Sequence, residues 1–177
     1  MNHVVEQFIE NAAIAGAEVE KADDLDGAVR ILKDFFKKNH ILKAIISPEL
    51  KPRDPFKKEF SSLETSLTGG SLWVGAGLVA ADYGVAETGT LVHFDRSDAE
   101  KNAWTLPEVC VCLLEQKRIV PRLEAIAVEI SGHLSQTAVP SPQVSLITGP
   151  SRTSDIESQL TIGVHGPSRL VIVLIGK

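Results

Sequence analysis

The feature that most constrains this chain is the alternation of apolar runs with polar segments toward its C-terminal end. Residues 144–147 (VSLI) and 170–175 (LVIVLI) are apolar runs of strand length. Between them lie a Gly-Pro loop and the pattern S-x-x-E from Ser154, which predicts a helix to about Ile162. Because parallel strands are normally joined through such a helix, the stretch predicts a buried strand, a loop, a helix and a second buried strand.

The rest of the chain continues this alternation. Apolar periodicity predicts helices over 3–15, from Asp23 or Asp24 to 38, and over 123–134. Strands are predicted at 17–21, 44–46, 71–74, 91–94 and 108–114, a surface excursion with a short helix at 51–70, a hairpin or loop at 95–103 and a turn at 118–122. The pattern predicts one α/β domain over 1–177 with a largely parallel sheet, in which 1–70 form an N-terminal helical part and 71–177 the motif-bearing core.

Composition narrows the class of protein. Of 177 residues, 44% are hydrophobic and 23% charged, as in ordinary globular proteins. A net charge of −5 argues against a general nucleic-acid binder. No apolar run approaches the roughly 20 residues of a membrane span, and the acidic N-terminal stretch is unlike a signal peptide. With two cysteines and no disulfide framework, we expect a cytoplasmic location.

The loop at 148–155 is a candidate anion site. It would present backbone N–H groups at the positive end of the predicted helix, where phosphate or carboxylate is stabilised. Gly149 would let the backbone approach a ligand, and Ser154 would cap the helix. The side-chain groups available there come from Ser151, Arg152, Thr153 and Asp155. The alternative is an ordinary turn with a capped helix and no ligand.

Glu87 is the candidate catalytic carboxylate. It lies among small and apolar residues in VAETGTLV, and a carboxylate in apolar surroundings has a raised pKa and can act as a nucleophile or general base. The alternative is a structural glutamate bonded to the N–H groups of residues 88–90. His165 follows the predicted helix and either binds an anion or moves a proton, or bonds a carbonyl at the helix end.

The two cysteines are not predicted to bind metal. Cys110 and Cys112 are two positions apart on a predicted strand and face the same side. Two thiols do not complete a zinc or iron–sulfur site. We expect buried structural cysteines and no metal site.

Four motifs carry a resemblance to a known family. They are ADYGVAETGT at 81–90, RIVP at 118–121, TGPSRTSDIE at 148–157 and GVHGP at 163–167. In this order and spacing they resemble the lactate utilization protein C family, also called the LUD domain, across roughly residues 70–176. The ligand-binding residues predicted from these motifs are Thr88, Gly89, Thr90, Gly149, Ser151, Arg152, Thr153, Ser154, Asp155, His165 and Gly166.

The resemblance implies both a fold and a role. The fold would be a three-layer α/β/α sandwich on a mostly parallel sheet, similar to the NagB/RpiA/CoA-transferase superfold. The role would be that of an accessory subunit, without a cofactor of its own, beside iron–sulfur and FAD-type subunits that oxidise L-lactate to pyruvate. The alternatives are a CoA-transferase or sugar-phosphate-isomerase type of enzyme that uses Glu87, by analogy of fold, and a ligand-sensing regulatory protein.

Overall fold

The computed structural model describes residues 2–48, 50, 53–63, 75–137, 142–154, 160–163 and 166–176. Its helices are α1 (Asn2–Ile14), α2 (Leu25–Lys38), α3 (Arg53–Phe60), α4 (Asp98–Thr105) and α5 (Ala127–Leu134). Its strands are β1 (Glu18–Ala22), β2 (Ala44–Ile46), β3 (Ala76–Ala80), β4 (Tyr83–Val85), β5 (Thr90–Asp95), β6 (Val109–Glu115), β7 (Ile119–Val120), β8 (Gln143–Ile147), β9 (Arg152–Ser154), β10 (Leu160–Ile162) and β11 (Arg169–Ile175). The predicted helices α1 and α2 and the predicted strands β1, β2, β5, β6 and β11 are confirmed, with small shifts at their ends.

A parallel sheet forms the centre of the fold. Five of the described strands build it, in the order β1-β11-β6-β3-β2. β11 lies in the interior, where Val171 is opposite both Glu18 of β1 and Val111 of β6. Strands buried on both faces read as continuous apolar runs, which is why β6 and β11 are recognisable in the sequence.

Helices cover both faces of this sheet. Leu170 and Ile172 of β11 pack in one cluster with residues of α1 and α4. Val171 and Val173 pack in a second cluster with residues of α2 and α3. This arrangement confirms the predicted α/β sandwich on a mostly parallel sheet, while the NagB/RpiA/CoA-transferase-like label stays a prediction.

A second sheet corrects the prediction for residues 144–147. Within the described part of the chain, its strands are ordered β7-β4-β5-β8, and β5 runs antiparallel to both β4 and β8. β8 is therefore not a buried parallel strand beside β11, and its Leu146 is 52% exposed. Residues 118–122, predicted as a turn, include β7, in which Ile119 is opposite Gly84 of β4.

The helix predicted from Ser154 to Ile162 is wrong. Residues at both of its ends form an antiparallel pair, β9 with β10, in which Thr153 is opposite Thr161. Residues 155–159 lie outside the described part of the chain. The backbone groups of residues 152–154 and 160–162 are thus used across a strand pair, so no helix begins at Ser154.

The loop or hairpin predicted at 95–103 is also wrong, because α4 occupies most of it. Ser97 caps this helix by accepting from Glu100 N at 3.3 Å, and Glu100 Oε2 accepts from Arg96 N at 3.1 Å. The helix buries Ala103 and Trp104 against the sheet. The strand predicted at 71–74 falls outside the described residues, and the next strand, β3, begins at Ala76.

Candidate functional site

Two glycine turns meet the C-terminal end of α1. Gly89 and Gly149 have φ angles of +66° and +74°, which side-chain-bearing residues rarely adopt. A Cβ at Gly89 would lie 2.1 Å from Ala12 N, and one at Gly149 would lie 2.1 Å from Ala15 O. Glycine is therefore required at both turns because α1 packs closely against them. The sequence analysis had assigned the close approach at Gly149 to a ligand, but in the structure α1 makes it.

Threonine hydroxyls connect the same two turns. Thr90 Oγ1 lies 2.7 Å from Thr88 Oγ1 and 2.7 Å from Thr148 Oγ1, which places the three hydroxyls in one hydrogen-bonded chain. Asn11 of α1 adds a bond by donating from Nδ2 to Ala86 O at 2.8 Å. The structure thus brings residues 86–90 and 148–149 together, although they lie in two separate sequence motifs.

The anion site predicted at a helix N-terminus loses its physical basis. Ser151 N donates to Pro167 O at 2.9 Å, and Ser151 O accepts from Gly163 N at 3.0 Å. Thr153 and Ser154 belong to β9 and pair with β10. Their backbone groups are committed to the chain itself, and Asp155 and His165 lie outside the described residues.

The contacts of Arg152 do not support its predicted role in binding an anion. Its side chain is exposed, and Nη2 donates to Ala15 O at 2.5 Å. Ala15 follows the last residue of α1, so the guanidinium stands where a helix dipole favours a cation. Arg152 fixes the end of α1 from the β9 strand.

Glu87 is not in the apolar surroundings that the sequence predicted. It lies in an exposed turn, with Oε2 3.8 Å from Arg122 Nε and with its backbone N donating to Pro121 O at 3.1 Å. The argument for a nucleophile or general base from burial therefore does not hold. The catalytic role itself stays a prediction that rests on fold analogy.

Three of the predicted ligand residues line one cavity, which we call the motif cavity. It has a volume of about 380 Å³ and is mostly apolar. Gly149, Ser151 and Gly166 lie on its wall, with α4 and β8 as the other sides. Its lining residues are Asp95, Lys101, Trp104, Thr105, Cys110, Gln143, Ser145, Leu146, Ile147, Thr148, Gly149, Pro150, Ser151, Gly166, Pro167 and Leu170. A mostly apolar cavity with a few convergent polar groups is the usual form of a small-molecule site.

Two polar groups of the motif cavity are deeply buried. Asp95 is 4% exposed, and its Oδ2 accepts from Ser145 Oγ at 2.7 Å. Trp104 is 5% exposed, and its Nε1–H has no acceptor among the described residues. Buried donors are nearly always satisfied in folded proteins, so this unpaired indole N–H, which solvent does not reach, is an unusual feature of the protein interior.

A charged cluster lies behind that wall, centred on His93. The imidazole is completely buried, with Nδ1 3.4 Å from Asp82 Oδ2 and Nε2 3.2 Å from Glu100 Oε1. Nε2 also lies 3.6 Å from Asp95 Oδ1, and the ring is 4.9 Å from that of Trp104. These distances are those of ion pairs, and neither ring nitrogen has the alignment of a hydrogen bond to a described residue.

The charges of this cluster shift each other's proton affinity. Burial alone would lower the pKa of His93, but the carboxylates of Asp82 and Glu100 outweigh it and raise the pKa to about 9. Burial would raise the pKa of Asp82, but His93 and Arg96 hold it at about 2. Arg96 Nη2 reaches Asp82 Oδ1 at 2.5 Å, so Asp82 lies between two cations.

The stability of the protein should therefore fall as the pH rises from about 6.5 to about 9. Over this interval the folded chain keeps the proton on His93, whereas an unfolded chain releases it. The stabilisation that protonated His93 gives the folded state is complete below pH 6.5 and is lost as the pH passes 9. It is on the order of 3 kcal/mol. Urea unfolding at a series of pH values measures it.

The variant His93→Gln provides the control for this pH dependence. Its free energy of unfolding should vary much less over the same interval, because the titrating group is gone. A wild-type stability that stays flat between pH 6.5 and 9 would show that His93 is not held as a cation.

A second cavity lies at the carboxyl edge of the parallel sheet. It has a volume of about 300 Å³ and opens where β3, β6 and β11 end. Its charged lining residues are Asp82, Arg96, Glu100, Glu115 and Arg118. Ligands of open α/β sheets commonly bind at this edge. The His93 cluster thus lies between this cavity and the motif cavity.

Cys110 and Cys112 behave as buried thiols. Both are buried in the cluster on the α1 side of the sheet, which confirms that they face the same way. Burial raises the pKa of both thiols well above the usual range, so they stay protonated at neutral pH. Among the described residues, no group of three or more His, Cys, Asp or Glu side chains is arranged to hold a metal ion.

The sequence analysis missed Asp82, His93, Asp95, Glu100 and Trp104. His93 stands inside the apolar run of β5 and resembles a strand residue that happens to be polar. One sequence signal could have found it: His93 and Asp95 are two positions apart on a strand and therefore lie on the same side of it. In the structure they are opposite Ser145 and Gln143 of β8. The contacts with Asp82 and Glu100 depend on tertiary structure that no local pattern contains.

A mostly parallel central sheet with helices on both faces makes this an α/β protein. This chain belongs to the LUD domain family, whose model matches residues 5–175. None of the described helices has both the length and the apolar character to cross a membrane.

The chain is also similar in sequence to named relatives, and it shares its fold with a solved structure. The chain is 31% identical over 99 residues to "Lactate utilization protein C" of Geobacillus thermodenitrificans, which covers 56% of this chain and 41% of that protein. It is 34% identical over 100 residues to "Uncharacterized protein YkgG" of Escherichia coli, covering 56% and 43%. It thus matches less than half the length of these relatives. A crystal structure of a DUF162 family protein from Deinococcus radiodurans shares the fold, with a TM-score of 0.68 at 16% identity, over 99% of this chain and 98% of that one.

Proposed function

We propose that this chain is a cytoplasmic accessory subunit, without redox chemistry of its own, of a system that uses L-lactate. The observation that carries the proposal is the family match over 5–175 together with the relatives named "Lactate utilization protein C". Oxidation of lactate needs an electron acceptor, and both cysteines of the chain are buried, protonated thiols. Iron–sulfur proteins, which the family resemblance implies, are the proposed partners that carry the electrons.

The proposal includes a small anion bound at the motif cavity. Support comes from Gly149, Ser151 and Gly166, which belong to two separate motifs and line the same cavity. Lys101 also lines it and provides a cation. The site thus keeps part of the predicted 149–155 loop, but it uses the cavity wall where the sequence suggested a helix N-terminus.

Deleting the gene should abolish growth on L-lactate and leave growth on glucose intact. The reason is that a subunit required by the oxidising system is needed only when lactate is the carbon source. A plasmid copy of the gene restores growth if the loss is specific. From the restored strain, a tagged chain should co-purify with proteins that contain iron and acid-labile sulfide. Undiminished growth of the deletion strain on lactate would contradict the proposal.

A further inference from the structure

The motif cavity contains one acidic and one basic side chain in a mostly apolar lining. Asp95 provides a carboxylate that is 4% exposed, and Lys101 provides an ammonium group. Lys101 Nζ donates to Gln143 Oε1 at 2.8 Å, which positions the ammonium group at the cavity. An ammonium group has three N–H donors, so this bond leaves capacity for an anion.

The carboxylate of Asp95 is oriented from both sides. Ser145 Oγ donates to Oδ2 at 2.7 Å, and Oδ1 faces His93 Nε2 at 3.6 Å. A carboxylate has about four acceptor positions, so Asp95 can accept a further hydrogen bond from a ligand hydroxyl. Because a carboxylate accepts hydrogen bonds and does not donate them, Asp95 disfavours a ligand that presents an acceptor at the same place.

The remaining wall suits hydrocarbon. Leu146, Ile147 and Leu170 contribute apolar surface. Trp104 also lines the cavity, but its Nε1–H is shielded from solvent and therefore does not face a ligand there. These apolar side chains can contact the alkyl group of a ligand.

From this arrangement we infer that the motif cavity binds a small 2-hydroxy acid. Its carboxylate pairs with Lys101, its hydroxyl donates to Asp95, and its alkyl group contacts the apolar lining. The inference rests on the proposed function and specifies the ligand of that site: a 2-hydroxy acid of the size of lactate, with room in about 380 Å³ for ordered water.

Three acids that differ at one carbon test the hydroxyl contact without any change to the protein. The probes are L-lactate, propionate, which lacks the hydroxyl, and pyruvate, which presents a carbonyl oxygen there. Titration calorimetry on the whole chain should find L-lactate bound about tenfold more tightly than propionate, the scale of a hydrogen bond to a charged group. Pyruvate should bind no more tightly than propionate. Equal affinity for all three would overturn the role of Asp95.

Lys101→Gln tests the carboxylate contact. This variant should bind L-lactate at least about tenfold more weakly, because a charged hydrogen bond is replaced by a neutral one. The matched control is Lys117→Gln, whose lysine pairs with Glu115 away from the cavity and should leave the affinity unchanged. Thermal unfolding of both variants shows whether the fold is intact. An unaltered affinity in Lys101→Gln would refute the assigned contact.

The two proposals fail in different ways. If the deletion strain loses growth on lactate but the chain binds none of the three acids, the inferred ligand is wrong and the accessory role stands. If L-lactate binds with the expected preference but the deletion strain grows normally on lactate, the accessory role is wrong and the binding site stands.

Discussion

Replacing His93 with glutamine should lower the free energy of unfolding by about 3–5 kcal/mol at neutral pH, the usual cost of removing one partner from a buried ion pair. The imidazole is completely buried, and it is the cation that faces Asp82, Asp95 and Glu100 from within the fold. Without it, three carboxylates are left with Arg96 as the remaining cation of the cluster. Urea unfolding of purified wild type and variant measures the difference.

Two controls separate this effect from the general loss of a histidine. His3→Gln replaces an exposed histidine on α1 and should change stability by no more than about 0.5 kcal/mol. Lowering the pH should reduce the deficit of His93→Gln, because its carboxylates take up protons in place of the missing cation. A deficit below about 1 kcal/mol at neutral pH would mean that the cluster does not need a cation at position 93.

Gly89→Ala should destabilise the protein by about 3 kcal/mol. At φ +66° an alanine incurs about 1–2 kcal/mol of backbone strain. Its Cβ would also lie 2.1 Å from Ala12 N, so α1 would have to move, and overpacking of this kind costs about 1–3 kcal/mol. The amides of α1 should then exchange with solvent faster, while those of β6 and β11 keep more of their protection.

The same substitution at Gly132 is the matched control. Gly132 lies in the exposed helix α5, and a Cβ there meets nothing within 4 Å. Gly132→Ala should raise stability by about 0.5–1 kcal/mol, since glycine is the weaker helix former. If the two alanines have similar effects, the packing of α1 on the Gly89 turn is not what holds the helix.

The sequence was informative where local chemistry decides structure. The apolar runs of β6 and β11 are buried on both faces, and their continuous pattern identified them. Asp24 accepts from Gly27 N at 2.7 Å and starts α2 where the acidic pair predicted a helix start. For these elements the local signal and the tertiary environment agree.

One pattern, S-x-x-E, gave opposite results at two places. At Ser97 it begins α4, whose Ala103 and Trp104 then find a buried surface. At the second place, Ser154 is instead the last residue of β9, which pairs with β10. Burial of an apolar face stabilises a short helix more than its cap does, and the cap alone therefore could not distinguish the two.

The candidate site was partly predictable. The motifs gave Gly149, Ser151 and Gly166, and these do line one cavity. The charged residues behind the cavity come from the turn before β4, from β5 and from α4. Only the tertiary structure brings them together. Glu87 shows the opposite error: its apolar neighbours in the sequence predicted a buried carboxylate, but the structure places it in a turn that solvent reaches.

The position of β11 inside the sheet has a consequence for the order in which the molecule can assemble. β11 inserts between β1 and β6, and Arg169 on β11 pairs with Glu18, 151 positions earlier, at 2.8 Å. During synthesis, β1 and β6 are made long before the strand that separates them and must wait with open backbone edges. Such long-range pairing slows folding and exposes apolar strands to other chains. The emerging polypeptide is thus most vulnerable to aggregation until residues 169–175 have left the ribosome.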